Sequence, residues 1–453
     1  MPKDPLSAQE EPAASDPAPL PTAPRPRPPT DGGPPPAAQA DQPQEKAPAS
    51  FIFWMVAANF GVSMAYIVPM TYSLAVRIDD LAPGREEVLG YVTGTAQFTY
   101  IFLSPLLGVW SDRTRTRIGR RRPFMIGGAL LGLLALGGIS AAPNLPLVGV
   151  SWVLAMVGWA SVGQAILNTQ ADRIPEEQRG RISGLTGLSA QAAPIIGIGL
   201  VSTVTWSTTL VFLLPGAVGA ALVAVFLVIG READSRGMAA KAGVSVRTLV
   251  ASYAFNPRAH PDFGWNWLGR FIFFMGLYFN TAFATFFYAQ RLDLPVREVA
   301  GTVAVIGAVG VATAMAGAVG GGYLSDKLGR RRLFTLIGAL LFVTGAVVEA
   351  FAYSFPVLMA GALLMQLAIA AFGAVDQAIV LAILPSRAEA GRYMAVNAFS
   401  QKIPSGLAPL LAPFIIAIGA TGGEQNYTVL YLSGAVLALI GGLIIFTRVK
   451  SVR

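Results

Sequence analysis

The chain has no cysteine in its 453 residues, which excludes a disulfide framework, a thiolate metal site and a cysteine nucleophile. It has a single histidine, His260, beside Pro261 in a hydrophilic stretch, where a surface position is expected. No Ser/His/Asp set and no metal cluster can be assembled, no zinc-finger spacing or Walker-type phosphate loop occurs, and neither a metal nor a cofactor is expected. Charge is scarce too: 13% of residues are Asp, Glu, Lys or Arg, against about 25% in a soluble domain. An enzyme reading therefore has little to rest on.

What replaces these residues is apolar surface and glycine. The chain is 54% hydrophobic and holds 49 glycines, a composition suited to closely packed membrane helices. Twelve apolar segments each approach the ~20 residues needed to cross a bilayer. The fold expected is all-α and membrane-integral, with twelve transmembrane helices. Residues 1–50 stand apart: they hold 15 of the 32 prolines and little aliphatic content, so a disordered Pro-rich tail is expected there. The formal charge of +8 is read as loop arginine facing anionic lipid headgroups, with no nucleic-acid partner implied.

The arginines are concentrated in one loop, 108-GVWSDRTRTRIGRRRPF-124, between the second and third spans. It returns as 322-GYLSDKLGRRRLF-334 between the eighth and ninth. The offset is 214 from Gly108 to Gly322 and 210 from Gly119 to Gly329, so the first copy carries four extra residues. A repeat at half the length of the membrane part reads as two homologous bundles. Gly108 and Gly322 allow close helix approach, Asp112 and Asp326 can pair with arginine or cap a helix, and Gly119 and Gly329 permit the turn into the next helix. A second echo follows the fourth and tenth spans. Pro175 with Gly180-Arg181 matches Pro385 with Gly391-Arg392, and Arg181 and Arg392 are expected near the motif aspartates.

The loops on the motif side and the two tails hold 27 of the 33 Lys and Arg, and the opposite loops hold Arg77, Arg85, Arg291 and Arg297. The positive-inside rule then places the motif loops and both termini in the cytoplasm of a multi-pass cell-membrane protein. The expected organisation is a tail at 1–50, a six-helix bundle at 51–230, a cytoplasmic linker at 231–262 and a second six-helix bundle at 263–453.

At the two motif loops the chain resembles the major facilitator superfamily, whose loop pattern is Gly-x-x-x-Asp-[Arg/Lys]-x-Gly-[Arg/Lys]-[Arg/Lys]. The resemblance spans about residues 51–453. It implies pseudo-symmetric six-helix bundles that rock about a midplane site, with Gly108, Asp112, Arg113, Gly119, Arg120, Arg121, Gly322, Asp326, Lys327, Gly329, Arg330 and Arg331 as the cytoplasmic gate. The first copy is similar to the form in sucrose transporters and their glycoside–pentoside–hexuronide relatives, which implies a sugar or glycoside as substrate. Melibiose-type relatives couple to sodium through aspartates in the second and fourth spans. Here Glu86 and Glu87 lie at the outer edge of the second and Asp172 lies near the cytoplasm, so that coupling is not carried over.

Charges within a span cost roughly 2.5–3.5 kcal/mol each on insertion scales and are usually paired or functional. Asp376 and Lys402, at similar depth on the tenth and eleventh spans, are read as a pair, either a proton-coupling site or a static lock between helices. Arg270 is expected to snorkel to the cytoplasmic face and Glu349 to face outer headgroups. Asn59, Tyr66, Gln97, Gln164, Asn168, Gln191, Asn280, Gln377, Asn397 and Gln401 are candidates to line a polar substrate cavity. The function expected is alternating-access, proton-coupled uptake of a small sugar or glycoside across the lipid bilayer. The alternatives are a proton-driven exporter of amphipathic compounds and a non-transporting membrane sensor or scaffold.

Overall fold

The computed structural model describes residues 46–232, 234–237, 255–386, 389–420 and 425–452, so most of the Pro-rich tail and the middle of the linker lie outside the described residues. Among the described residues every regular element is helical. The first half contains α1 (Ala49–Val68), α2 (Leu74–Leu81), α3 (Glu87–Arg113), α4 (Arg122–Ala141), α5 (Leu145–Arg173), α6 (Glu176–Val201) and α7 (Thr208–Ile229). The second contains α8 (Pro261–Ala282), α9 (Ala284–Leu292), α10 (Val299–Leu328), α11 (Arg331–Ala350), α12 (Phe355–Ala382), α13 (Ala390–Ile416) and α14 (Tyr427–Arg448).

Ten helical segments are long and apolar enough to cross a membrane, and an eleventh is the pair α8–α9, bent by 49°. α1 and α2 form one segment, joined by a π-turn at Pro69–Ser73. Proline cannot donate to the helix ladder and its ring crowds the carbonyl four residues back, so the ladder widens there. α13 is the twelfth span. Its 27 residues suffice in length, but it carries Arg392, Lys402 and three internal prolines, Pro404, Pro409 and Pro413. Those residues dilute its hydropathy and are tolerated because α3 and α8 cover it.

The halves repeat the same packing. α1 packs on α7 as α8 packs on α14, α4 on α5 as α11 on α12, α3 on α5 as α10 on α12, and α4 on α7 as α11 on α14. Between halves, α3 meets α13 as α6 meets α10. Glycine sets the closest of these contacts. A Cβ added at Gly61 would lie 2.9 Å from the Gly219 Cα, and one at Gly276 would lie 2.2 Å from the Gly434 carbonyl oxygen. Both residues of the second pair lie 215 positions after those of the first. The sequence duplication is thus a duplication of helix contacts.

The two halves meet at the end of the molecule opposite the motif loops. Gly90 abuts Pro409 and Pro413, Gly94 abuts Gly406 and Leu410, and Gly307 abuts Ile195. At that end the Tyr72 hydroxyl donates to the Arg297 carbonyl (2.6 Å) and the Thr285 hydroxyl to the Thr71 carbonyl (2.5 Å). A Cβ added at Gly108, Gly180, Gly184, Gly187 or Gly391, toward the motif loops, would meet no atom within 4 Å, and neither would one at Gly199 or Gly301 toward the other end. Gly108 therefore makes no close helix approach, contrary to expectation.

Candidate functional site

The motif loops are built by short-range pairing. Gly119 (φ +97°) and Gly329 (φ +61°) take left-handed backbone that a Cβ would strain, and each turns the chain into the next helix. Arg121 reaches back to Asp112 (2.7 Å) and across to Asp172 (3.2 Å), and Arg120 also pairs with Asp172 (2.7 Å). In the second copy Arg331 pairs with Asp326 (2.9 Å). Lys327 lies 5.8 Å from the Tyr323 ring, and Arg330 is exposed. These contacts each stay within one half. The motif aspartates are served by arginines of their own loop rather than by Arg181, which is exposed, or Arg392, which pairs with Glu389 (2.7 Å). A neighbour a few residues along the same loop reaches them without any movement of the halves, so neither Arg181 nor Arg392 is drawn in.

The sequence-predicted pair of Asp376 and Lys402 does not form. Asp376, fully buried on α12, is ion-paired with Arg270 of α8 and accepts from the Asn266 amide (3.3 Å). Lys402 is exposed. Successive residues turn by about 100° round a helix, so the face of α13 that points Gln401 at Arg270 (3.4 Å) points Lys402 away. Gln401 also donates to the Tyr278 hydroxyl (3.5 Å), and the Arg270 guanidinium lies 5.1 Å from the Phe274 ring. Arg270 does not snorkel: only 8% of it is exposed. The result is a network of Asn266, Arg270, Tyr278, Asp376 and Gln401 drawn from three helices. Its charges balance, so the desolvation that an isolated ion would suffer is offset by pairing.

The remaining candidates divide by what they touch. Asn59 donates to the Thr186 carbonyl (3.0 Å) and the Ser189 hydroxyl (3.1 Å), tying α1 to α6. Gln164 donates to Asn168 (3.0 Å) one helical turn away, and both stay half-buried. Tyr66 and Gln97 are half-buried, while Gln191 and Gln377 are exposed although they sit well inside their helices. Asn397 is buried on α13. Asn280 is buried against Gly434 and the Met365 sulfur (3.8 Å), so it seats α8 on its neighbours and does not face a cavity. Glu349 is fully buried and accepts from the Tyr288 hydroxyl (3.2 Å), so it does not face headgroups.

One cluster escaped the sequence reading. Arg297, between α9 and α10, crosses to the first half and bonds Asp80 (2.5 Å), the Thr208 hydroxyl (3.1 Å) and the Thr205 carbonyl (2.7 Å). Tyr427 adds a second bridge by donating to Glu86. Burial, the largest influence, pushes the Glu86 carboxyl above its ordinary 4.5, with the Tyr427 hydrogen bond pulling the other way. The only signal in the sequence was that Arg297 is one of few cations on its side.

The arrangement resembles solved transporters. A bacterial homologue of the human lysosomal transporter Spinster, in an inward-facing and unoccupied conformation, superposes with TM-score 0.67 at 16% identity, over 89% of this chain and 97% of that one. The nucleoside transporter NupG gives 0.71 at 11% identity over 88% and 99%. A D-xylose-proton symporter gives 0.65 at 14% identity over 89% and 98%. At these identities the likeness is one of fold. Sequence relatives match over shorter stretches. The general alpha-glucoside permease of Schizosaccharomyces pombe is 34% identical over 90 residues, 20% of this chain and 15% of that protein. The proton-associated sugar transporter A of Mus musculus is 36% identical over 91 residues, 18% and 12% of the two chains. The sucrose transport protein SUT4 of Oryza sativa subsp. indica is 29% identical over 97 residues, 21% and 15%. The matched segments thus span under a fifth of those relatives' lengths. Residues 47–321 and 302–453 each match the family described as the Major Facilitator Superfamily, and with both halves accounted for the chain belongs to that superfamily.

Proposed function

We propose that the chain is a secondary transporter that takes up a sugar or glycoside together with protons by alternating access. The observation that carries this reading is the geometry of the halves: two bundles with matching helix contacts that meet at the end opposite the motif loops. The clustering of Lys and Arg in the motif loops and tails favours a cytoplasmic position for the motif-loop end and both termini. The moving bodies are residues 51–230 and 263–453, with 231–262 as linker. In the inward-open state Gln164 and Asn168 on one side, and Gln401 with Arg270 and Tyr278 on the other, offer the donors and acceptors that sugar hydroxyls need. The printed names of the sequence relatives, a glucoside permease and two sugar transporters, favour that substrate class.

Asp376 is the proton carrier in this reading. Protonation removes its charge and frees Arg270 from the ion pair, so that the guanidinium, already bonded to Gln401, can turn toward bound substrate. Uptake by proteoliposomes across a panel of sugars, glycosides and amphipathic drugs, with and without a pH gradient, tests the proposal. Gradient-driven accumulation of a sugar is expected, and Asp376→Asn should abolish accumulation while leaving exchange. Outward pumping of amphipathic compounds alone would replace this reading with an exporter, and no flux of any solute would favour a sensor. Lys402→Ala, by contrast, should leave accumulation within about twofold, since Lys402 lies outside the network.

A further inference from the structure

The duplicated motif loops are finished differently in the two halves. In the first, the linker folds back over the loop. The Glu232 carboxylate accepts from the Arg121 and Arg122 amides (3.0 and 3.4 Å) at the start of α4, and a Cβ added at Gly119 would lie 2.2 Å from that carboxylate. Ser235 fastens the strap to Thr116, donating its amide to the Thr116 carbonyl (3.2 Å) and accepting the Thr116 amide through its hydroxyl (3.0 Å). Thr116 belongs to the region of four residues that the second copy lacks.

In the second half the counterparts, each 210 positions on, are Gly329, Arg331 and Arg332. The equivalence extends to the side chains: Arg122 donates to the Leu227 carbonyl, and Arg332 donates to the Val449 carbonyl (2.8 Å). No described residue accepts from the Arg331 and Arg332 amides, α11 has no side-chain cap, and a Cβ added at Gly329 would meet no atom within 4 Å. Two carboxylates of the neighbouring described residues are engaged elsewhere. Asp326 holds Arg331, and Asp262 accepts from the Lys450 and Ser451 amides. Above this helix start lies a groove of about 760 Å³, lined by Leu328, Gly329, Arg330, Arg332, Leu333 and Phe446.

We propose that this groove binds the phosphate of an anionic phospholipid, in the position that the Glu232 carboxylate occupies in the first half. The same fold element binds an anion through the same two amides in its other copy, so the anion preference is built into the repeat rather than inferred from a helix end alone. Arg330, exposed and without an ion-pair or hydrogen-bond partner among the described residues, supplies a charge-assisted bond to the phosphate. Leu328, Leu333 and Phe446 give the glycerol and first acyl carbons an apolar wall, which selects a lipid over a free anion. Occupancy would brace α10, α11 and α14 at the gate loop, as the strap braces the first half.

The test uses the full-length protein in detergent, with thermal midpoints read in phosphatidylglycerol, phosphatidylcholine or inorganic phosphate and retained lipid counted by native mass spectrometry. Phosphatidylglycerol should raise the midpoint by several degrees and remain bound, and the other two should not. Arg330→Ala should lose at least half of that shift and Arg330→Lys should keep most of it. Arg117→Ala, which removes the same charge from an exposed site in the other half, should keep it in full. Each variant is compared with its own lipid-free midpoint, so a folding defect appears in the baseline and not in the shift. Equal shifts with phosphatidylcholine, equal losses in Arg330→Ala and Arg117→Ala, or a full shift from inorganic phosphate alone would each overturn the proposal.

Discussion

Arg270 and Asp376 neutralise each other inside the second half, and the consequence is asymmetric. Removing both charges leaves an apolar contact, while removing one leaves a buried ion without its partner, at a cost of about 3–5 kcal/mol. Arg270→Ala should therefore lower the denaturation midpoint far more than the double change Arg270→Met with Asp376→Leu, and a double-mutant cycle on the purified protein reads the coupling. A double variant no more stable than Arg270→Ala would contradict the pairing. The sequence made Asp376 visible as an acid within an apolar span. Its partner was not legible, because Arg270 and Lys402 both lie at plausible depths and only the helix rotation about α13 separates them. The same blindness to rotation turned Asn280 into a cavity candidate when it packs against Gly434.

Helix contacts were the most legible level. The 214- and 210-residue offsets between motif copies already imply matching bundles, and the paired contacts of α1 with α7 and of α8 with α14 follow. Gly276 tests them. An alanine Cβ 2.2 Å from the Gly434 carbonyl forces α8 and α14 apart, which should cost about 1–3 kcal/mol as an overpacked contact. Gly108→Ala, whose added Cβ would meet no atom within 4 Å, should leave the thermal midpoint unchanged. The strap over the first motif loop left no comparable trace. Glu232 and Ser235 look like ordinary linker residues, and their partners are backbone amides and carbonyls that carry no sequence signal. Glu232→Ala removes the cap on α4 and should cost about 1 kcal/mol, measurable as a lowered midpoint.

At the scale of the molecule, the end opposite the motif loops is closed by bonds that must break before it can open. Arg297→Ala removes three of them and should favour opening there, seen as faster labelling of a cysteine placed at Thr285. Glu86 makes the same closure depend on pH. Its carboxyl is raised in the closed form, mainly by burial, and returns toward its ordinary 4.5 once hydrated. Closure therefore has its full contribution from Glu86 below about 4.5 and loses it as pH rises through the raised value. Labelling at Thr285 should rise with pH across that window, and Glu86→Gln should flatten the profile. That these halves alternate is the central claim, and the absence of native cysteine makes it directly measurable. Spin labels at Arg85 and Asp293 report the far end, and labels at Arg117 and Leu328 report the motif-loop end. On adding a transported sugar at low pH, the account predicts that populations shift in opposite directions, one distance lengthening as the other shortens. Two distances that stay fixed, or that lengthen together, would contradict it.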